Sequence, residues 1–285
     1  LLYFLGPIAQ RVGLVDRPSG RKQQLGPVAL VGGIAVVVSF FLATLLMPIS
    51  LTEYRVLFFC IALLFVTGVV DDLRELPPAA KFVMQLAVAL ALVFLDDQLV
   101  RFVGDILDGS GSNAYEPLGL DILTIPLTVF AMLGVINAFN LIDGLDGLCG
   151  GITLMALAAL IALAFHHGGA VSESKLLGMV LVTVAAFLIF NLSIVGATRQ
   201  VYLGDAGSMV LGLMLVYFLI NLSQRGIPIV ESGVPIIKPN SAPWLIALPL
   251  MDTVNVMLHR LRSGRSPLRP DRTHIHHLLL DVGIH

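Results

Sequence analysis

Eight long, predominantly apolar stretches, at residues 27–49, 56–70, 82–95, 122–139, 148–165, 176–195, 208–222 and 244–261, recur along this chain, and a shorter ninth occupies residues 1–9. Few folds are open to such a pattern. An apolar helix of about twenty residues crosses a hydrocarbon core roughly 30 Å thick, and only helices or closed barrels satisfy their backbone groups in lipid. Hydrophobic residues make up 57% of the chain and charged residues 13%, a balance outside that of soluble globular domains. The expectation is an all-α, polytopic transmembrane helical bundle of about nine spans, forming a single integral-membrane domain over residues 1–285. The missing initiator Met, the short first stretch and the abrupt ending "HIHHLLLDVGIH" predict a chain clipped at both ends, so no signal peptide is argued.

The formal net charge of -2 gives no reason to expect a nucleic-acid partner. Cys60 and Cys149 lie in or beside apolar stretches and predict free thiols rather than a disulfide framework. If nine spans alternate, the loops after the odd-numbered ones share a face. Those loops hold Arg11, Arg17, Arg21, Lys22, Arg74, Lys81, Arg199, Arg260, Arg262, Arg265, Arg269 and Arg272, which is twelve of the 17 Lys and Arg. The positive-inside rule makes that face cytoplasmic.

The same parity gathers four polar motifs: "VDDLRELPPAAKFVMQ" (70–85), "NAFNLIDGLDGL" (137–148), "VYLGDAGS" (201–208) and "SGRSPLRPDRTHIHH" (263–277). In the first, Asp71 and Asp72 would point about 100° apart on a helix. One carboxylate could bind a cation or substrate while the other handles a proton; from the pair alone, a solvated helix cap with Arg74 as partner is the simpler reading. In the second, Asn137, Asn140, Asp143 and Asp146 recur every three residues, and Gly144 and Gly147 favour a turn over an unbroken helix. Such oxygens suit Mg²⁺, which takes one or two carboxylates with waters and phosphates, so Asp146 and Asp205 are the candidate metal pair. In the fourth, arginine forks suit phosphate oxygens. Topology alone would explain the arginines but not His274, His276 and His277, whose spacing is also wrong for a zinc site. Asp252, inside the last apolar stretch, is a functional candidate by position; it could share a face with Asn255 and His259 leading toward Arg260, or simply form a polar pair that stabilises packing.

Taken in order, "DRPSGRK" (16–22), "DDLRELPPAAKFVMQ" (71–85), "NAFNLIDGLDGL" (137–148), "GDAGS" (204–208), "PLMD" (249–252) and "PDRTHIHH" (270–277) resemble the polyprenyl-phosphate N-acetylhexosamine-1-phosphate transferase family across nearly the whole chain. "NAFNLIDGLDGLCGG" and "RSPLRPDRTHIHH" are most similar to the branch of that family that uses N-acetylglucosamine. In the muramoyl-pentapeptide branch the last motif ends in three consecutive histidines, whereas Ile275 interrupts them here. The resemblance implies a bacterial multi-pass protein of the cytoplasmic (inner) membrane with its site facing the cytoplasm. It implies Mg²⁺, with Mn²⁺ as a substitute, and transfer of N-acetylglucosamine-1-phosphate from a UDP-sugar to undecaprenyl phosphate, with release of UMP, at the first membrane step of O-antigen or common-antigen synthesis. Asp71, Asp72 and Asp143 then become the catalytic candidates and Asp146 and Asp205 the metal ligands. Lys81, Asn137, Asn140, Arg265, Asp271, His274, His276 and His277 become the substrate-binding candidates. The competing readings are the same chemistry on another UDP-N-acetylhexosamine and a secondary transporter, whose sites sit near the bilayer midplane within repeats; no repeat is visible. The sequence assigns no oligomeric state.

Overall fold

A computed structural model of the chain describes residues 1–16, 27–48, 50–103, 122–166, 171–196, 199–224, 235–264 and 274–282. The helices are α1 (Leu2–Val12), α2 (Gly32–Leu46), α3 (Arg55–Arg74), α4 (Pro78–Leu95), α5 (Thr124–Ile142), α6 (Leu148–His166), α7 (Val171–Asn191), α8 (Gly204–Gln224), α9 (Ala247–Arg262) and α10 (Ile275–Asp281). A 3₁₀ turn at Ala242–Ile246 leads into α9.

The helical expectation holds, with a correction to the number of spans. Among the described residues, six helices, α3 to α8, are long and apolar enough to cross a membrane. The stretch 27–49 is divided: Val28–Ala29 forms strand β2, paired antiparallel with β1 (Val15–Asp16), so only Gly32–Leu46 is left for a 15-residue apolar helix. The stretch 244–261 is broken by the 3₁₀ turn, and α9 has 16 residues, fewer than the roughly 20 a straight span needs. α1 has 11 residues, with Pro7 inside it. An apolar run sets an upper limit on helix length, and local pairing can shorten it.

α8 is the axis of the fold. Residues 206–223 are all buried, as befits a helix that is apolar on every face. It is packed by α2, α3, α5 and α6, with α4 filling in beside α3 and α5, and α7 beside α2 and α6. Two devices fix the N-terminal end of α8. Ala29 bridges Val201 in parallel, and the first amides of α2 donate outward, Gly32 to the Tyr202 carbonyl and Gly33 to the Leu203 carbonyl, each at 2.8 Å. On the other side, a Cβ on Gly68 of α3 would run into the Ala206 backbone, so glycine is what lets these two helices approach so closely. Cys60 and Cys149 are free and buried, as expected.

Candidate active site

The turns α3–α4, α5–α6 and α7–α8 meet at the N-terminal end of α8, and each brings polar side chains there. After α3 the chain reverses at Glu75 (φ 46°), and the α4 helix opens with Pro78 in its first turn, where proline's fixed φ and missing N–H cost nothing. Asp71 holds this reversal. Its Oδ1 accepts the Leu76 N–H at 2.6 Å, and its Oδ2 accepts from Lys81 Nζ at 2.7 Å. Lys81 also donates to Asp205 Oδ2 at 3.0 Å, so one ammonium joins α3, α4 and α8. Asp71 is only 6% exposed; a carboxylate this dry needs such a partner. The expected partner Arg74 is exposed instead, because it lies on the last turn of α3 and faces outward.

Asp72 caps a helix, though the helix is not its own. Its Oδ1 accepts the Asp205 N–H at 2.8 Å and its Oδ2 the Ala206 N–H at 3.1 Å, two of the amides that a helix start leaves without partners. The negative charge also suits that end of the helix dipole. α8 cannot cap itself, because residue 204 is a glycine with φ 72°, and a side chain there would meet Asp72 Oδ2.

The α5–α6 turn brings two more carboxylates, Asp143 and Asp146. α5 ends at Ile142, the turn contains Gly147 at φ 77°, and α6 begins at Leu148, so the three-residue polar step is carried by a helix end and then by a turn. Asn140 donates to Ser208 Oγ at 3.1 Å, and Asn137 to Gln85 Oε1 at 2.8 Å. Asp146 Oδ2 accepts from Gln200 Nε2 at 2.6 Å. Asn191 secures the same turn, accepting the Gly147 N–H at 2.6 Å and donating to the Val201 carbonyl at 3.0 Å.

Asp143 is half-buried, and burial together with the charges of Asp205, Asp72 and Asp146 pushes its pKa up to about 8. Burial also raises that of Asp146, against the lowering effect of the Gln200 hydrogen bond. Four carboxylates from three turns therefore share one electrostatic neighbourhood. Among the described residues no three His, Cys, Asp or Glu side chains form a ready-made metal cluster. The donor set still suits Mg²⁺, which needs only one or two carboxylates beside water and phosphate oxygens, and the crowding that raises Asp143 is one a divalent cation would relieve.

The histidine motif joins α9. His274 Nδ1 lies 2.8 Å from Asp252 Oδ2, and the Ile275 N–H donates to Asp252 Oδ1 at 2.8 Å. Asn255 and His259, expected beside Asp252, are exposed, while Arg260 is buried. Asp252 thus turns toward a later segment of chain and away from its own helix's polar residues. Arg265 and Asp271 lie outside the described residues, as do the side chains of His276 and His277 in α10. Sequence reasoning passed over Gln85, Asn191 and Gln200. Gln85 closes the 70–85 motif, Gln200 directly precedes the 201–208 motif, and Asn191 interrupts an apolar run; a carboxamide in such a place is a signal that could have singled them out.

The profile of glycosyl transferase family 4 matches residues 54–223. The chain is 32% identical over 282 residues to the undecaprenyl-phosphate alpha-N-acetylglucosaminyl 1-phosphate transferase of Yersinia pestis, covering 99% of this chain and 73% of that protein. It is 33% identical to the protein of the same name from Escherichia coli K12, with the same coverage. To that of Haemophilus influenzae it is 34% identical over 284 residues, covering 99% of this chain and 76% of the relative. These likenesses run through all three turns that meet at α8, and the chain, a multi-pass membrane protein, belongs to glycosyl transferase family 4.

Proposed function

We propose that this protein transfers N-acetylglucosamine-1-phosphate from UDP-N-acetylglucosamine to undecaprenyl phosphate and releases UMP. The observation that carries the reading is the Lys81 ammonium between Asp71 and Asp205 at the head of α8, with Asp143 and Asp146 close enough to be felt electrostatically. Relatives at 32 to 34% identity bear the name of that activity.

In the reaction a phosphate oxygen of the lipid attacks the β-phosphorus of the nucleotide sugar. The bond between that phosphorus and the bridging oxygen breaks, and the α-phosphate leaves as UMP. Phosphoryl transfer asks the protein mainly to hold the phosphates in line and to neutralise spreading charge. A phosphate monoester has its second pKa near 6, so the lipid phosphate arrives mostly as a dianion and needs no base. Asp71 and Asp72 fit that economy, because their oxygens are committed to Leu76, Lys81 and the start of α8. Asp71 orients Lys81, whose ammonium attracts a phosphate, while Asp72 fixes where Asp205 stands. Asp146 and Asp205 would hold Mg²⁺, which supplies Lewis-acid neutralisation of the diphosphate oxygens when bound. His274, with Arg265, Asp271, His276 and His277 of the same motif, would bind the nucleotide end; Asn137 and Asn140, on α5, would add hydrogen bonds to the substrate.

A cytoplasmic site in the inner membrane is part of this reading: UDP-N-acetylglucosamine is a charged, water-soluble donor, and Arg74, Lys81 and Arg199 lie in or beside the three turns at the head of α8. The first lipid-linked step of an envelope polysaccharide is the role that fits this product. Purified protein given undecaprenyl phosphate, Mg²⁺ and UDP-N-acetylglucosamine releases UMP and forms the lipid-linked sugar. Epimeric UDP-sugars and UDP-muramoyl-pentapeptide, offered in parallel, are turned over poorly. Turnover of every donor except UDP-N-acetylglucosamine defeats the assignment.

A further inference from the structure

Outside the acid cluster, the most demanding polar arrangement is the pairing of Asp252, in the second turn of α9, with His274, just ahead of α10. Both side chains are only 6% exposed. Asp252 gives one oxygen to His274 Nδ1 and the other to the Ile275 N–H, each at 2.8 Å. A carboxylate only accepts, so Nδ1 is the donor and carries the proton. In the neutral ring this makes Nε2 the acceptor, and the plane of the imidazole is fixed along with its tautomer.

Packing alone gives little reason for the pair. Taking a carboxylate out of water is costly unless it is paired and hydrogen-bonded, and a buried ion pair is often no more stabilising than well-packed apolar side chains in its place. Nor is α9 obliged to bury its polar residues: Asn255 and His259, about one and two turns further on, are exposed. What the pair does provide is a single, reproducible state of one imidazole at the point where the basic motif rejoins the helices.

We infer that Asp252 is a positioning residue that acts through His274, fixing the ring's orientation and tautomer so that it meets the nucleotide end of the sugar-nucleotide substrate in one state. The inference rests on the transferase reading above, in which His274 touches substrate. Asp252 itself need not.

The test uses the full chain in detergent or nanodiscs. Asp252→Asn keeps the size and can still accept the Ile275 N–H, but its amide then presents an N–H to Nδ1 and favours the opposite tautomer. The expected result is a rise of about tenfold in KM for UDP-N-acetylglucosamine, the scale on which supporting residues behind a ligand usually act. The KM for undecaprenyl phosphate stays unchanged, and calorimetric binding of UDP-N-acetylglucosamine without lipid weakens by a similar factor. His274→Asn retains a donor for Asp252 but removes the ring, so adding Asp252→Asn to it causes no further loss in kcat/KM. A second, additive loss overturns the inference, as does an Asp252→Asn protein that melts earlier while both KM values hold. If Asp252→Asn cannot be purified folded, His274→Asn alone decides, and an unchanged nucleotide KM overturns the inference. A wild-type protein that binds no UDP-N-acetylglucosamine defeats the transferase reading itself, and this inference with it, through a separate measurement.

Discussion

The two ends of α8 solve the same structural problem with different chemistry. At its C-terminal end Gln224 ties down a neighbouring segment with neutral groups: its Oε1 accepts the Arg101 and Phe102 N–H groups, each at 3.1 Å, and its Nε2 donates to the Phe102 carbonyl at 3.1 Å. At the N-terminal end the anchors are charged, with Asp72 on the first amides and Lys81 between Asp71 and Asp205. One carboxamide is enough to fasten chain to helix where nothing else is asked. Concentrating carboxylates where they raise one another's pKa values is a poor way to gain stability; the proposed chemistry accounts for it better, with carboxylates that would hold a divalent cation and an ammonium that would attract phosphate.

Substitutions at the two ends should therefore separate activity from stability. The largest effect is expected for Asp205→Asn, which keeps the shape of the side chain but removes the charge. UMP release should fall by about a thousandfold, the upper range for losing a principal electrostatic contact in a transition state, with the melting temperature little changed. Gln224→Ala should do the reverse, lowering the melting temperature while turnover stays within about twofold; its hydrogen bonds are worth about 1 kcal/mol each. Equal loss of activity at both ends would undo the comparison. Lys81→Met comes next, at about a hundredfold in turnover; it also leaves Asp71 without its cation, so some loss of thermal stability should accompany it.

Gly68→Ala sharpens the comparison without touching any charge. The added methyl meets the Ala206 backbone, one residue beyond Asp205, and overpacking of this kind costs about 1–3 kcal/mol. Turnover should drop about tenfold because the start of α8 shifts relative to the α3–α4 turn; UMP release and a thermal melt on the same sample report both effects. A loss of stability with full turnover would mean that the position of Asp205 is less critical than its charge.

Much of this site was legible in the sequence, for identifiable reasons. Alternating spans put 70–85, 137–148 and 201–208 at one end because helix length is set by the bilayer, and parity survives errors at the helix boundaries. The three stretches not borne out as full-length spans are 1–9, which forms an 11-residue helix, and 27–49 and 244–261, where hydropathy cannot distinguish β2 from the helix it precedes, or a 3₁₀ turn from α9. The role of Asp72 was hidden because the amides it caps lie 133 and 134 residues away, whereas capping rules read from sequence look three or four residues ahead. Gln200 and Asn191 escaped for a similar reason, since a neutral carboxamide acquires meaning only once the turn that it holds has been folded against it.

The smallest expected effect concerns Asp143, the one carboxylate of the cluster with no hydrogen bond among the described residues. Its pKa in the folded protein is raised to about 8 by burial and by Asp205, Asp72 and Asp146, against about 3.9 for an unperturbed aspartate. Between these two values the folded protein holds a proton that the unfolded chain has lost, so by linkage stability declines as pH rises through that window and levels off above it. Asp143→Asn cannot ionise and lacks this slope. In metal-free buffer the melting temperature of the wild type should therefore fall relative to Asp143→Asn from about pH 5 to about pH 8. Saturating Mg²⁺ should flatten the difference, because a cation among the carboxylates favours their charged forms. Parallel melting curves for the two proteins, with or without Mg²⁺, would mean that Asp143 feels no excess negative charge, and the crowding at the head of α8 would lose its electrostatic basis.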